Sequence, residues 1–208
     1  MKFAIDIGHN APPKDTGAVG IKREDNLCKE VGEKLISLLE KAGHLVVRTA
    51  PLHGITVNNS LKHHCEVANF SQADLFVSIH FNAANYRAYG SEVYALSTAG
   101  AAIGKSILTE ICKLGFFNRG VKRANFYVLK RTTMPAVLVE CCFCDSQKDM
   151  AMFKADSMAL AIAKGLIGDL PSLPDELRTL RIKENTWLKE TTEQAKDLKD
   201  GQKTWLTR

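Results

Sequence analysis

The sequence predicts an α/β protein, a three-layer αβα sandwich around a central, mainly parallel, twisted sheet of about six strands. Three observations predict it. Strand-like and helix-like patterns alternate along residues 1–170. Two runs, 74–80 (Asp-Leu-Phe-Val-Ser-Ile-His) and 135–140 (Pro-Ala-Val-Leu-Val-Glu), are almost continuously apolar, as strands buried on both faces are. Between the strand patterns lie stretches with apolar residues at helical spacing.

The elements follow in chain order. Residues 2–8 read as a short buried strand. Residues 25–42 read as a helix with Leu27, Val31, Leu35, Leu38 and Leu39 on one face, and Gly43 follows at the position that favours a left-handed residue. Residues 44–49 form a second strand and 60–71 a helix. The apolar run 74–80 is the third strand, and the alternating segment 90–96 is read as an edge strand. Residues 99–116 are a helix, 125–130 a short strand and 135–140 a second doubly buried strand. Residues 146–170 are one long helix carrying Met150, Phe153, Leu160, Ile162 and Leu166. After Leu170 the composition changes. Pro171-Ser172-Leu173-Pro174 reads as a linker, and residues 171–208 as linker plus charged tail, with an echo in Thr186-Trp187-Leu188 and Thr204-Trp205-Leu206. A tail of that size is below what normally folds alone.

Composition excludes several classes. The chain has 208 residues, 45% hydrophobic and 25% charged, which is ordinary for a globular protein. No apolar run approaches the ~18 residues of a membrane span. The net charge of +5 is mildly basic, far short of a nucleic-acid binder, and the basic residues are scattered apart from Lys122, Arg123, Lys130 and Arg131. Met1 leads straight into a strand pattern, so no export signal is expected in the chain as given. Cys28, Cys65 and Cys112 lie far apart while Cys141, Cys142 and Cys144 crowd one segment; free thiols are expected.

In open α/β sheets ligands bind beyond the carboxyl ends of strands. His9 follows the first strand, His80 closes the third, and Glu140 closes the run 135–140. Glu24 stands at a loop-to-helix junction from which it can fold back toward His9. A buried carboxylate after Ala-Val-Leu-Val requires a partner or a metal. His9, Glu24 and His80 form a two-histidine, one-carboxylate set of the kind that holds catalytic zinc. Histidines so placed also serve as hydrogen-bonded structural residues, and the residues alone leave both readings open.

Four blocks carry a resemblance: Asp6-Ile7-Gly8-His9; Gly17-Ala18-Val19-Gly20 leading to Glu24; Ala73-Asp74-Leu75-Phe76-Val77-Ser78-Ile79-His80-Phe81-Asn82; and Met134-Pro135-Ala136-Val137-Leu138-Val139-Glu140. Asn118-Arg119-Gly120-Val121-Lys122 and Val128-Leu129 add to it. With these blocks in this order, residues 1–170 resemble the zinc-dependent N-acetylmuramoyl-L-alanine amidases, which have a phosphorylase/hydrolase-like αβα core. The resemblance implies zinc held by His9, Glu24 and His80, with Glu140 as the catalytic carboxylate. It implies hydrolysis of the amide between N-acetylmuramic acid and L-alanine in peptidoglycan, hence cell-wall degradation; a monomer is expected, and the charge predicts no nucleic-acid partner. It makes the tail a candidate part of a wall-binding module. Division-linked members carry a helix that plugs the site, and the short stretch after His80 leaves little room for one. Where the family usually has an arginine five residues before the asparagine of Ala68-Asn69, this chain has His64; where it has Gly-Phe after the glutamate, this chain has Cys141-Cys142-Phe143-Cys144. Those thiols are read as packing, His63-His64 as a solvated helix face, and Lys122 and Arg123 as a solvated basic face. The alternatives are a related zinc carboxypeptidase and a non-catalytic peptidoglycan-binding protein on the same fold.

Overall fold

A computed structural model describes residues 1–9, 15–49 and 56–168. The linker and tail expected at 171–208 lie outside the described residues. In chain order the elements are β1 (Lys2–Ile7), α1 (Glu24–Lys41), β2 (Leu45–Arg48), α2 (Val57–Phe70), β3 (Leu75–Asn82), β4 (Ser91–Ala95), α3 (Thr98–Cys112), β5 (Asn118–Lys122), α4 (Tyr127–Arg131), β6 (Ala136–Phe143), α5 (Gln147–Met152) and α6 (Ala155–Ile167).

The six strands form one sheet in the order β2-β1-β3-β6-β4-β5. Neighbours are parallel except β4 against β6, which is antiparallel. Because side chains alternate across a strand, each strand feeds two layers. Phe3, Ile5, Ile7, Val77, Ile79, Val137 and Val139 point into the main core with α1, α3 and α6. Ala4, Phe76, Ala136 and Leu138 point the other way, under α2 and α4. The three-layer prediction is therefore met, and β1, β3 and β6 stand at its centre as the apolar runs require.

Four details differ from the sequence reading. The segment around 90–96 is not an edge: β4 lies between β6 and β5. The residues expected as a strand at 125–130 instead form the short helix α4, and the strand falls on Asn118–Lys122. Phe126, Tyr127 and Val128 have strand propensity, but burying Val128 and Leu129 together under the sheet overrides it. The long helix expected at 146–170 breaks at Phe153 and Lys154, both in extended conformation, which turns the Phe153 ring edge-on to Phe81 at 5.3 Å. Finally, β3 and β6 run past His80 and Glu140, to Asn82 and Phe143, with a register shift between His80 and Asn82.

His64 is not on a solvated face. It is buried, with its Nδ1 3.0 Å from Asp6 Oδ1 and its Nε2 2.9 Å from Ser60 Oγ. Ser78 donates to the other Asp6 oxygen at 2.6 Å. The chain thus keeps a contact between α2 and β1 with histidine in place of the expected arginine. His64→Ala removes the buried imidazole and leaves Asp6 with Ser78 as its partner. The expected cost is about 2 kcal/mol, a fall in melting temperature of roughly 4–8 °C for a chain this size, read by thermal melting. An unchanged melting temperature would show that the contact carries no stability.

Candidate active site

The carboxyl edge of β1, β3 and β6 gathers the polar residues. His9 leaves β1 in a left-handed conformation, φ 56°, which turns its ring back over the sheet edge. The approach of the two histidines depends on glycine. A Cβ at Gly8 would lie 2.5 Å from His80 Cε1, and one at Gly17 2.6 Å from Glu24 Oε2. The His9 and His80 rings meet edge to face, 4.7 Å between centroids. Glu24 opens α1 and reaches between them: its Oε1 is 3.2 Å from His9 Nε2 and 3.2 Å from His80 Nδ1. Backbone N–H groups of Ala18 and Phe81 donate to the same carboxylate at 2.8 and 3.1 Å. One donor atom from each of His9, Glu24 and His80 lies within 4.8 Å of the others. Asp15 braces the far side of His9 through Nδ1 at 2.5 Å.

Electrostatics follow from this packing. Burial alone would raise the Glu24 carboxyl, but hydrogen bonds and charge from His80 and His9 hold it far below the ordinary range. Burial alone would lower the His9 imidazole; Glu24 and Asp15 outweigh it and bring it up to about 9. His80 is raised too, burial being outweighed by its bond to Glu24 and the charge of Glu140. Glu140 pairs in register with His80. Burial pushes its carboxyl up to about 7, and its Oε2 is buried without a hydrogen-bond partner among the described residues. A cleft of about 400 Å³ opens over these groups, walled by Leu61, Phe126, Tyr127 and Leu138.

All four residues singled out in the sequence thus meet at one cleft. The three crowded cysteines do not join them. Cys141, Cys142 and Cys144 are free and fully buried, and burial raises their thiols. Sequence reasoning missed Asp15 and Glu92. Glu92 is buried in β4 directly opposite Glu140, and Lys122, read as part of a solvated basic face, binds it. The available signal was a lone acid in the apolar alternation of Glu92-Val93-Tyr94-Ala95.

Fold and site define the class of three-layer α/β domains that carry a histidine–carboxylate cluster at the carboxyl edge of the sheet. Within it, the chain belongs to the N-acetylmuramoyl-L-alanine amidase family, whose model matches residues 3–169. Among similar proteins, the endolysin of Bacillus phage SPP1 is 32% identical over 169 residues, 77% of this chain and 61% of that protein. The N-acetylmuramoyl-L-alanine amidase LytC of Bacillus subtilis is 35% identical over 176 residues, 78% of this chain and 34% of LytC. The catalytic domain of the CD27L endolysin, which targets Clostridia difficile, superposes with a TM-score of 0.77 at 27% identity, covering 83% of this chain and 99% of that domain. The catalytic domain of the amidase CwlV from Paenibacillus polymyxa var. colistinus gives 0.72 at 31% identity, covering 82% and 99%. The chain spans about half the length of the curated relatives it matches.

Proposed function

We infer that the chain hydrolyses the amide between N-acetylmuramic acid and L-alanine in peptidoglycan, with zinc held by His9, Glu24 and His80 and with Glu140 as proton carrier. The observation that carries the reading is the convergence of two imidazoles and one carboxylate beside an unpartnered buried carboxylate oxygen. The amidase family supplies the substrate. The donor set fits zinc, which takes nitrogen and oxygen ligands and keeps a position open at catalytic sites. Asp15 fixes the His9 ring as an outer partner does.

A bound zinc ion supplies Lewis acidity at the scissile carbonyl and acidifies the attacking water. Glu140 does the proton work. Its Oε2 faces no internal donor and is free to take a proton from that water. The same oxygen then passes the proton to the amide nitrogen as the carbon–nitrogen bond breaks, so L-alanine leaves as a neutral amine and the lactyl group as a carboxylic acid, which then gives its proton to solvent. The apolar walls, Leu61, Phe126, Tyr127 and Leu138, exclude bulk water from the transfer.

Residues 83–90, between β3 and β4, are tied down by Asp145, which accepts from the N–H groups of Ala84 and Tyr86 at 2.8 and 3.0 Å. This short, pinned loop supports a site that works without an activator. Digestion of intact sacculi by the purified chain alone, followed by mass spectrometry, tests the whole reading. New amino-terminal L-alanine on released peptides is expected; cleavage at any other bond, or none, would overturn it. No helix among the described residues is long and apolar enough to cross a membrane.

The charge state of the metal-free chain adds a prediction. His9, at about 9, is protonated at neutral pH in the metal-free chain, and the bond to Glu24 raises His80 as well. Metal ligation needs neutral imidazoles, so uptake at pH 7 releases at least the His9 proton and affinity rises with pH until His9 is neutral. Calorimetry of zinc binding in buffers of different ionisation enthalpy reads the number. Uptake with no proton release would remove the histidines from the ligand set.

A further inference from the structure

The row of paired residues at the site does not stop at Glu140. His80 of β3 pairs with Glu140 of β6, and Glu140 pairs with Glu92 of β4. Directly opposed residues share a sheet face, and like charges so placed repel. Glu92 is held there because β5 brings two cations to it: Arg119 Nε lies 2.7 Å and Lys122 Nζ 2.5 Å from its Oε2. Tyr94 and Asn82 donate to its Oε1 at 2.7 and 3.1 Å.

Exposure decides what this cluster faces. The Glu92 side chain is 3% exposed, Arg119 30% and Lys122 39%. The anion is interior and both cations reach solvent. One carboxylate offsets one of the two positive charges, so a net positive charge remains at the surface beside the cleft. Donors remain as well. Arg119 spends Nε on Glu92 and Nη1 on the Tyr89 carbonyl at 3.3 Å, leaving Nη2 without a hydrogen-bond partner among the described residues. Lys122 spends one of its three ammonium hydrogens on Glu92.

We propose that Arg119 and Lys122 form an anion subsite that binds a free carboxylate of the peptide stem, which makes them specificity-determining residues. The inference rests on the amidase reading above. On the glycan side the lactyl carboxyl is consumed in the scissile amide, so a free carboxylate belongs to the peptide. Neighbouring strands lie ~4.8 Å apart, and both cations reach across to Glu92 on β4, the strand beside β6, so they stand roughly 7 Å from Glu140 across the sheet. An extended peptide advances ~3.4 Å per residue. The bound carboxylate therefore lies about two residues past the scissile amide. The guanidinium of Arg119 supplies the planar donor geometry a carboxylate fits.

The test uses two soluble muramoyl peptides, identical except that the stem carboxylates are free in one and carboxamides in the other. The zinc-loaded full chain is expected to favour the free form about tenfold in kcat/KM, mainly through KM, the size of one charge-assisted contact. The preference should shrink as salt is raised, because both cations are solvent-screened. Arg119→Gln and Lys122→Gln each move the ratio toward one, and Arg119→Lys retains part of it. Calorimetric binding of the free and amidated stem peptides, which needs no cleavage, should follow the same order. Preferential binding without cleavage of either substrate upholds the subsite and removes the hydrolytic reading instead. Equal cleavage of both forms, or a ratio that survives Arg119→Gln and Lys122→Gln in folded chains, overturns the subsite. Should a glutamine variant fail to fold, the wild-type ratio and its salt dependence decide alone.

Discussion

Glu140→Gln is expected to lower turnover on sacculi by at least ~10²-fold, the low end for general base catalysis, while zinc content and fold stay intact. The glutamine keeps the shape of the side chain but cannot accept the proton. The environment separates this outcome from its rivals. Glu140 is fixed within β6, paired to His80 on one side and Glu92 on the other, so the backbone does not depend on the carboxylate. If Glu140 were a ligand, the variant would lose metal. If it were a structural ion-pair partner, the variant would lose ~3–5 kcal/mol. Its Oε2 has no partner among the described residues, which argues against the second.

A stability readout strengthens the test. The carboxyl sits at about 7 in the folded chain against an ordinary 4.5. Between those values the unfolded chain gives up its proton while the folded chain keeps it. The stability contributed by Glu140 is thus full below about 4.5 and is lost as pH rises toward and through 7. In the metal-free chain Glu140→Gln should therefore gain on wild type across that window, by an amount of order 1–3 kcal/mol at pH 8. Thermal melting of both chains at pH 4.5 and pH 8 reads it. A variant that loses ground as pH rises would mean that Glu140 is held ionised by a partner, and would contradict its role as proton carrier.

The parts of this site legible in the sequence are those whose signals are local. The apolar runs through Val77 and Val137 mark strands buried on both faces, and the polar residue after each run marks the edge where ligands bind. The illegible parts depend on what a distant segment supplies. Asn118–Lys122 looks like a loop because it is polar, yet it pairs with β4 and its charges answer Glu92 across the sheet. Glu92 looks solvent-facing in an alternating strand, and it is buried because β4 is interior. His64 looks like half of a solvated His-His pair until Asp6, far off in the chain, comes under α2. The break at Phe153 answers the Phe81 ring rather than any glycine or proline. In each case the deciding partner belongs to another element, and periodicity within one segment cannot register it.

His80→Ala should abolish tight zinc binding, lowering affinity by at least ~10³-fold, because three protein ligands are the usual set at a catalytic site and two are left. The loss is larger than for an outer partner. Asp15→Asn keeps all three donors and only loosens the orientation of His9, for which a 10–100-fold loss is expected. His64→Ala, away from the cluster, should lower stability and leave metal affinity alone. The series therefore orders the residues by their distance from the metal in chemistry rather than in sequence. Equilibrium dialysis gives the affinities. Melting gives an independent measure, since zinc at ~1,000 times its dissociation constant stabilises the folded chain by about 4 kcal/mol and should add no more than about 0.4 kcal/mol for His80→Ala at the same concentration. Removing the His80 ring also deprives Glu24 of one of its two imidazole partners, so the metal-free variant is expected to be less stable than wild type at neutral pH. Full zinc occupancy in folded His80→Ala at micromolar metal would sink the His9, Glu24 and His80 assignment. It would move the search for the third donor to Glu140, the next carboxylate in the same row.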